Sequence, residues 1–304
     1  MSNPDVDALR ARIRTAFRNN PRLSAHSVAL ADLAEPYVIL DTQPEGAADG
    51  GGVRVIMSSE EGRADIDALP LGASRFGGVP DLPAEIGWPQ IEEKKLLFLA
   101  QIDLAALPRW DGAPLPADGW LYAFIMFSTK EKVGLPPWKV VVLHHRGARE
   151  GLVRAQQPPE DEMWPEWATN AIEGYELVPL VPRLGLSIGL ESLRGAALEN
   201  LTDYVIDDVE RVIPKGDGDA GGHLLGHPGI GEESANAMVK DLVNYGAWPG
   251  EDEANGADDW ISLLTIFSVG SMQWSDAGEF YVFIRRGDLA CGDFSRVRTS
   301  MTSG

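Results

Sequence analysis

Cysteine is almost absent from this chain. Its single thiol, Cys291, excludes an internal disulfide and any zinc cluster built on cysteines. Long apolar runs are missing too. No stretch of roughly 18 apolar residues occurs, so nothing in the sequence reads as a membrane-spanning helix. The opening MSNPDVDALRARIRTAF is charged throughout and lacks the apolar core of a secretory signal. Basic residues are scarce: 26 Lys and Arg face 46 Asp and Glu, a formal net charge of −20. Phosphate backbones are held by basic surfaces, so nucleic acid is not an expected partner. No Gly-x-Ser-x-Gly elbow occurs, and no Gly-x-Gly-x-x-Gly turn follows a strand. The expectation is a cytoplasmic protein away from membranes, with no cofactor, no metal site and no catalytic residue to name.

What is present is a chain of 304 residues, 44% of them hydrophobic, enough to bury a substantial core. Residues 3–18 read as an amphipathic helix. Asn3 caps, Pro4 suits the first helical position, and Val6, Leu9, Ile13 and Phe17 form one stripe. Tyr37–Asp41 and Val53–Met57 read as strands, as do Leu96–Ile102, Trp120–Phe127 and Lys139–His145. Shorter strands are expected at Leu152–Gln157 and Tyr175–Leu180. Residues 191–213 and Ser234–Tyr245 carry helical spacing. Strands then follow at Trp260–Val269, Glu279–Arg285 and near Arg296–Met301.

One pattern occurs twice. Gly119–Ile125, GWLYAFI, matches Gly278–Ile284, GEFYVFI. Each follows an apolar strand, Leu96–Ile102 or Ile261–Phe267. Each strand is preceded by Gly-x-Pro (Gly78 to Pro80, Gly226 to Pro228) and then Trp-Pro (Trp88-Pro89, Trp248-Pro249). A hairpin of two wide apolar strands cannot stay exposed, so two such units are expected to bury against each other. The expected organisation is an N-terminal helix over residues 1–22 and a single body over 23–304, with repeats near 74–145 and 222–300.

The segments GGVPDLP, GWP, LLFLAQIDLAALP and GWLYAF resemble, in this order, the YwqG-like family, a bacterial domain of unknown function. HLLGHP, QWSDAGEFYVFI, GDL and DFSRV are similar to its C-terminal motifs. The resemblance spans roughly residues 70–300. It implies an α+β fold, mainly antiparallel sheet with internal duplication and a few peripheral helices, and it implies no accepted activity. The family's second half tends to read LLLQIDS. Here Thr265 and Phe267 stand where the first half has Gln101 and Asp103.

Five residues are candidate ligand contacts. Gln101 and Asp103 are polar, on one face of an otherwise apolar strand, and a buried Gln must satisfy both ends of its amide. Arg75 precedes the Gly77-Gly78 turn and could join them. Trp88 precedes a proline, a context biased to extended backbone in which a ring can be presented. His223 stands four residues before His227, but Gly226 and Pro228 break the helix that a shared metal would require. Two functions fit: a non-enzymatic interaction protein whose acidity draws a basic protein partner, or an enzyme or small-ligand binder with a cleft between the repeats.

Overall fold

The structure is a computed structural model that describes residues 4–42, 66–91, 93–127, 138–163, 174–189, 192–193, 203–213, 220–228, 235–244 and 259–302. The chain opens with α1 (Pro4–Asn19), which carries Asp5 and Asp7 in its first turn and Arg18 in its last, matching the helix dipole. Val6 and Phe17 bury its stripe against α2 (Ser27–Leu33) and neighbouring apolar residues such as Leu186 and Ile188. Next come β1 (Glu35–Asp41), β2 (Arg75–Phe76), β3 (Asp81–Pro83), β4 (Gln90–Ile91), β5 (Lys94–Lys95), β6 (Leu97–Asp103), β7 (Trp120–Phe127) and β8 (Trp138–His145). They are followed by β9 (Leu152–Arg154), β10 (Val178–Pro179), β11 (Val181–Ser187), α3 (Asp203–Val212), β12 (Ala220–Leu224) and α4 (Ala235–Asn244). The chain closes with β13 (Trp260–Phe267), β14 (Glu279–Arg285), α5 (Arg286–Cys291) and β15 (Arg298–Met301).

Two antiparallel sheets carry the fold, one ordered β11-β1-β12-β13-β14-β15 and the other β10-β2-β6-β7-β8. The fold is α+β, mainly antiparallel sheet with a few helices. Side chains alternate across a strand, so each sheet has an inner row and an outer row. Phe76, Ala100, Ala123 and Val142 form one inner row; Val38, Leu224, Leu264 and Val282 form another. All belong to one apolar core. Where they meet, the residual space is an apolar void of about 10 Å³ lined by Ala100, Ala123, Leu224 and Leu264, too small for a ligand.

The β6–β7 and β13–β14 hairpins agree in detail. Both ladders slip by one residue at the same place, between Phe98 and Ala100 and between Ser262 and Leu264. Such a bulge leaves two successive residues on one side, and Leu99 with Ala100, like Leu263 with Leu264, enters the core. Outer neighbours correspond as well. Arg75 faces Gln101, as His223 faces Thr265. After each, the chain turns through two positive-φ residues, Gly77 and Gly78 or Leu225 and Gly226. The first of each pair donates its N–H to the bulge residue, Leu99 or Leu263.

Among the described elements not expected from the sequence, β11, β12 and α2 have clear physical reasons. β11 contains Pro182 and Gly185. Proline is tolerated because β11 is an edge strand, and a Cβ at Gly185 would lie 2.5 Å from the Tyr37 ring. β12 reads AGGHL because β13 approaches so closely that a Cβ on Gly222 would sit 2.1 Å from the Thr265 carbonyl. The short helix α2 has too few residues to display a period. The expected strand Val53–Met57 lies outside the described residues. Within the expected helix 191–213, residues 203–212 form α3.

His144 of β8 packs its ring edge against Phe294, 5.4 Å between centroids, and so links the second sheet to the chain that follows α5. Burial pushes its imidazole below the usual value, outweighing the Asp118 carbonyl 3.2 Å from Nε2. A depressed histidine binds fewer protons folded than unfolded. Stability is therefore complete above about pH 6.5, the unfolded value, and declines as pH falls through that value toward the folded one. The urea midpoint should drop between pH 7 and pH 5, and His144→Gln should flatten that slope.

Candidate functional site

The second sheet holds three of the five expected residues, Arg75, Gln101 and Asp103, and all three are buried. Arg75, Asp81 and Gln101 are fully buried. The Arg75 guanidinium donates to Asp81 Oδ2 at 3.0 Å and to the carbonyls of Ala73 and Val79. Asp81 Oδ2 also accepts from the Gly72 N–H at 2.7 Å, while Oδ1 accepts from Arg154 at 3.0 Å. Gln101 Oε1 accepts the Asp81 N–H at 2.7 Å, and its Nε2 donates to Ala73 O and Asp81 Oδ2. Tyr122 closes the cluster by donating to the Asp81 carbonyl at 2.7 Å.

Burial alone would raise the Asp81 carboxyl. The Arg75 charge and the donors from Arg75, Gly72 and Arg154 outweigh it and hold the group below the usual carboxylate range. Burial and the Asp81 charge push the Tyr122 phenol up. Every polar end of Gln101 is used within the protein, so this cluster ties the Ala73–Asp81 loop to β6.

Asp103 is tied to the same loop. Its N–H donates to Ser74 Oγ at 2.9 Å, Oδ1 caps the turn at Ala105, and Oδ2 pairs with Arg149, whose guanidinium lies 5.7 Å from the Trp120 ring centre. Trp88 is half-buried, donates to the Leu96 carbonyl at 2.7 Å and meets Phe124 edge-on.

His223 is elsewhere. It lies in the outer row Ile39–His223–Thr265–Tyr281 of the other sheet, with Nδ1 2.7 Å from Leu225 O and its ring edge-on to Tyr37 and Phe267. The two outer rows face away from each other. Arg75, Gln101 and Asp103 are thus brought together, and His223 is not brought to them.

Concave space lies at one end of the six-stranded sheet, in a cleft of about 300 Å³. Glu35 and Pro36 enter it from the start of β1, and Leu225 to Pro228 from the turn after β12. Trp260 to Ser262 begin β13, Arg286 begins α5, Ala235 and Asn236 begin α4, and Trp110 to Pro114 reach in from the loop after β6. Antiparallel order brings the start of β1, the end of β12 and the start of β13 to one edge, which is why residues so distant in sequence converge.

The cleft has a mixed lining. His227 Nε2 sits 3.4 Å from a Glu35 carboxylate oxygen. The His227 contact holds the Glu35 carboxyl below its usual value against the opposing effect of burial, and the charge of Arg286 adds to it. Asn236 Oδ1 accepts the Trp260 backbone N–H at 2.8 Å, fixing the start of α4 to β13. Glu35, Trp110, Trp260 and Arg286 carry no sequence motif. The only signals were the abundance of tryptophan and the Gly226-His227-Pro228 turn.

The sequence model of a domain of unknown function (DUF1963) matches residues 74–302. The chain belongs to this family. Within the family's span fall the side chains of the buried cluster and every wall of the cleft except Glu35 and Pro36, which β1 supplies from outside it. No curated protein matches the chain. No helix among the described residues is long and apolar enough to cross a membrane.

Proposed function

We propose that this protein acts by binding, without catalysis, and that its ligand is a small molecule held in the cleft at the end of the six-stranded sheet. The observation that carries this reading is the convergence of Trp110, Trp260, Glu35, His227 and Arg286 on about 300 Å³ of space. That is the lower end of the size typical of ligand sites, and apolar walls with a few placed polar groups are their usual make-up. The cleft is built largely by the second half and completed by the Trp110 loop of the first. If the two halves are repeats, this is the cleft between them, and it is displaced from Gln101. A crystallographic fragment screen should place its bound fragments here. Fragments gathering elsewhere, with the cleft left empty, would sink the reading.

The matched bulges, registers and positive-φ turns of the two hairpins support an internal duplication, and with it the YwqG-like assignment of this family member. On that reading Arg75 and His223 are counterparts that have diverged. A second reading, a basic protein partner in the cytoplasm, rests on the net charge of −20.

A further inference from the structure

Trp260 forms part of the cleft wall and is 3% exposed, yet its indole N–H is buried without an acceptor. Arg285 stands opposite Trp260 in the β13–β14 ladder, and its guanidinium lies 5.2 Å from the indole centre. Its Nη2 is likewise buried without an acceptor. A second guanidinium, that of Arg298, lies over the same ring at 5.9 Å. Arg286 follows directly and lines the cleft, as do the first two residues of α4, where a helix presents N–H groups that its own backbone does not use.

All these groups are donors or cations in a strongly acidic chain: Trp260, Arg286 and the start of α4 line the cleft, and Arg285 and Arg298 lie against the Trp260 ring. Buried donors without partners are costly, and a helix N-terminus favours negative charge. Trp260 Nε1 and Arg285 Nη2 are thus buried donors with no acceptor among the described residues. Glu35 supplies a carboxylate to the lining, contacted by His227 and within reach of the Arg286 charge. An anionic group is therefore directed away from Glu35 and toward Trp260.

We propose that the cleft receives the oxyanion end of a small ligand, a carboxylate or a phosphate, at the wall formed by Trp260, Arg286 and the start of α4. This rests on the cleft being the binding site. The body of the ligand then lies along Trp110 and the prolines Pro36, Pro114 and Pro228, with a hydroxyl or amino group toward Glu35.

The test is a titration with benzoate, its neutral analogue benzamide, and inorganic phosphate, read by the indole N–H signals in proton–nitrogen NMR. Trp260→Phe identifies the signal of Trp260. Benzoate or phosphate should move that signal, and benzamide should not. A response to benzoate alone assigns a carboxylate, and a response to phosphate alone assigns a phosphate. Arg286 is exposed, so Arg286→Gln should fold and weaken the anion by about tenfold. Glu35→Gln should tighten it, because a repelling charge is removed. The opposite signs separate a charge effect from general damage to the cleft. Benzamide binding as well as benzoate would overturn the oxyanion and leave the cleft as a site. If neither anion moves the Trp260 signal, the oxyanion also falls. Fragments bound only elsewhere in the crystal would remove both readings.

Discussion

Replacing Asp81 with alanine should cost about 3–5 kcal/mol of unfolding free energy, the range expected when one partner of a buried ion pair is removed. The carboxylate is fully buried and is approached by Arg75, Arg154, Gln101 and the Gly72 N–H. Without it the Arg75 guanidinium keeps its carbonyl acceptors but loses the only negative charge beside it among the described residues. Urea denaturation followed by circular dichroism measures the loss. The double variant Arg75→Met, Asp81→Leu should recover a large part of it, because neither charge is then left alone in the interior. A loss no greater than that of an exposed Asp, such as Asp118, would show the cluster to be energetically idle. The same carboxylate contributes to the acid stability of the fold. Its pKa is depressed when folded, so its contribution is complete above the unfolded value near 3.9 and vanishes as pH falls through the folded value.

The second large effect is expected at Gly77. Its φ is +60°, and a Cβ built there would lie 1.9 Å from the Glu176 carbonyl oxygen and 2.8 Å from that of Tyr175. Both obstacles are backbone, so no side-chain rotation relieves the clash. The Gly77 N–H is fixed to Leu99 and the Gly78 N–H to Tyr175, which prevents the turn from moving as a unit. Gly77→Ala should therefore cost about 3–5 kcal/mol, in the tail reserved for disrupted packing and backbone strain. Gly292 provides the contrast: its φ is +70°, but a Cβ there meets nothing within 4 Å. Gly292→Ala should cost only about 1–2 kcal/mol, the left-handed strain alone. Equal losses at the two sites, read from the same urea curves, would show that the Glu176 contact contributes nothing.

The hairpins were legible because their strands are largely buried on both faces and therefore mostly apolar. Trp120–Phe127 and Glu279–Arg285 occur at the bounds that the apolar runs set. The bulges were not legible, since Leu99-Ala100 and Leu263-Leu264 look like any apolar pair. β11 and β12 were hidden because the residues that permit them, Pro182 and the glycines at 185, 221 and 222, are those that argue against a strand. In the site, Gln101 and Asp103 announced themselves as polar residues in an apolar strand. That signal marks a buried polar group, and it does not say whether its partner is a ligand or the chain itself. The cleft left almost no trace, because its walls come from six separated segments whose meeting depends on strand order.

β1 is flanked by β11 and β12 and pairs with both, yet it begins 39 residues before the span that the family shares. The unit that recurs among relatives and the unit that holds together are thus different lengths of chain. Residues 74–302 alone would leave β11 with no neighbour among the described strands and expose an edge of β12. Without Glu35 and Pro36 the cleft would also lack one side. A strand from outside the matched span therefore joins β11 to the rest of the six-stranded sheet.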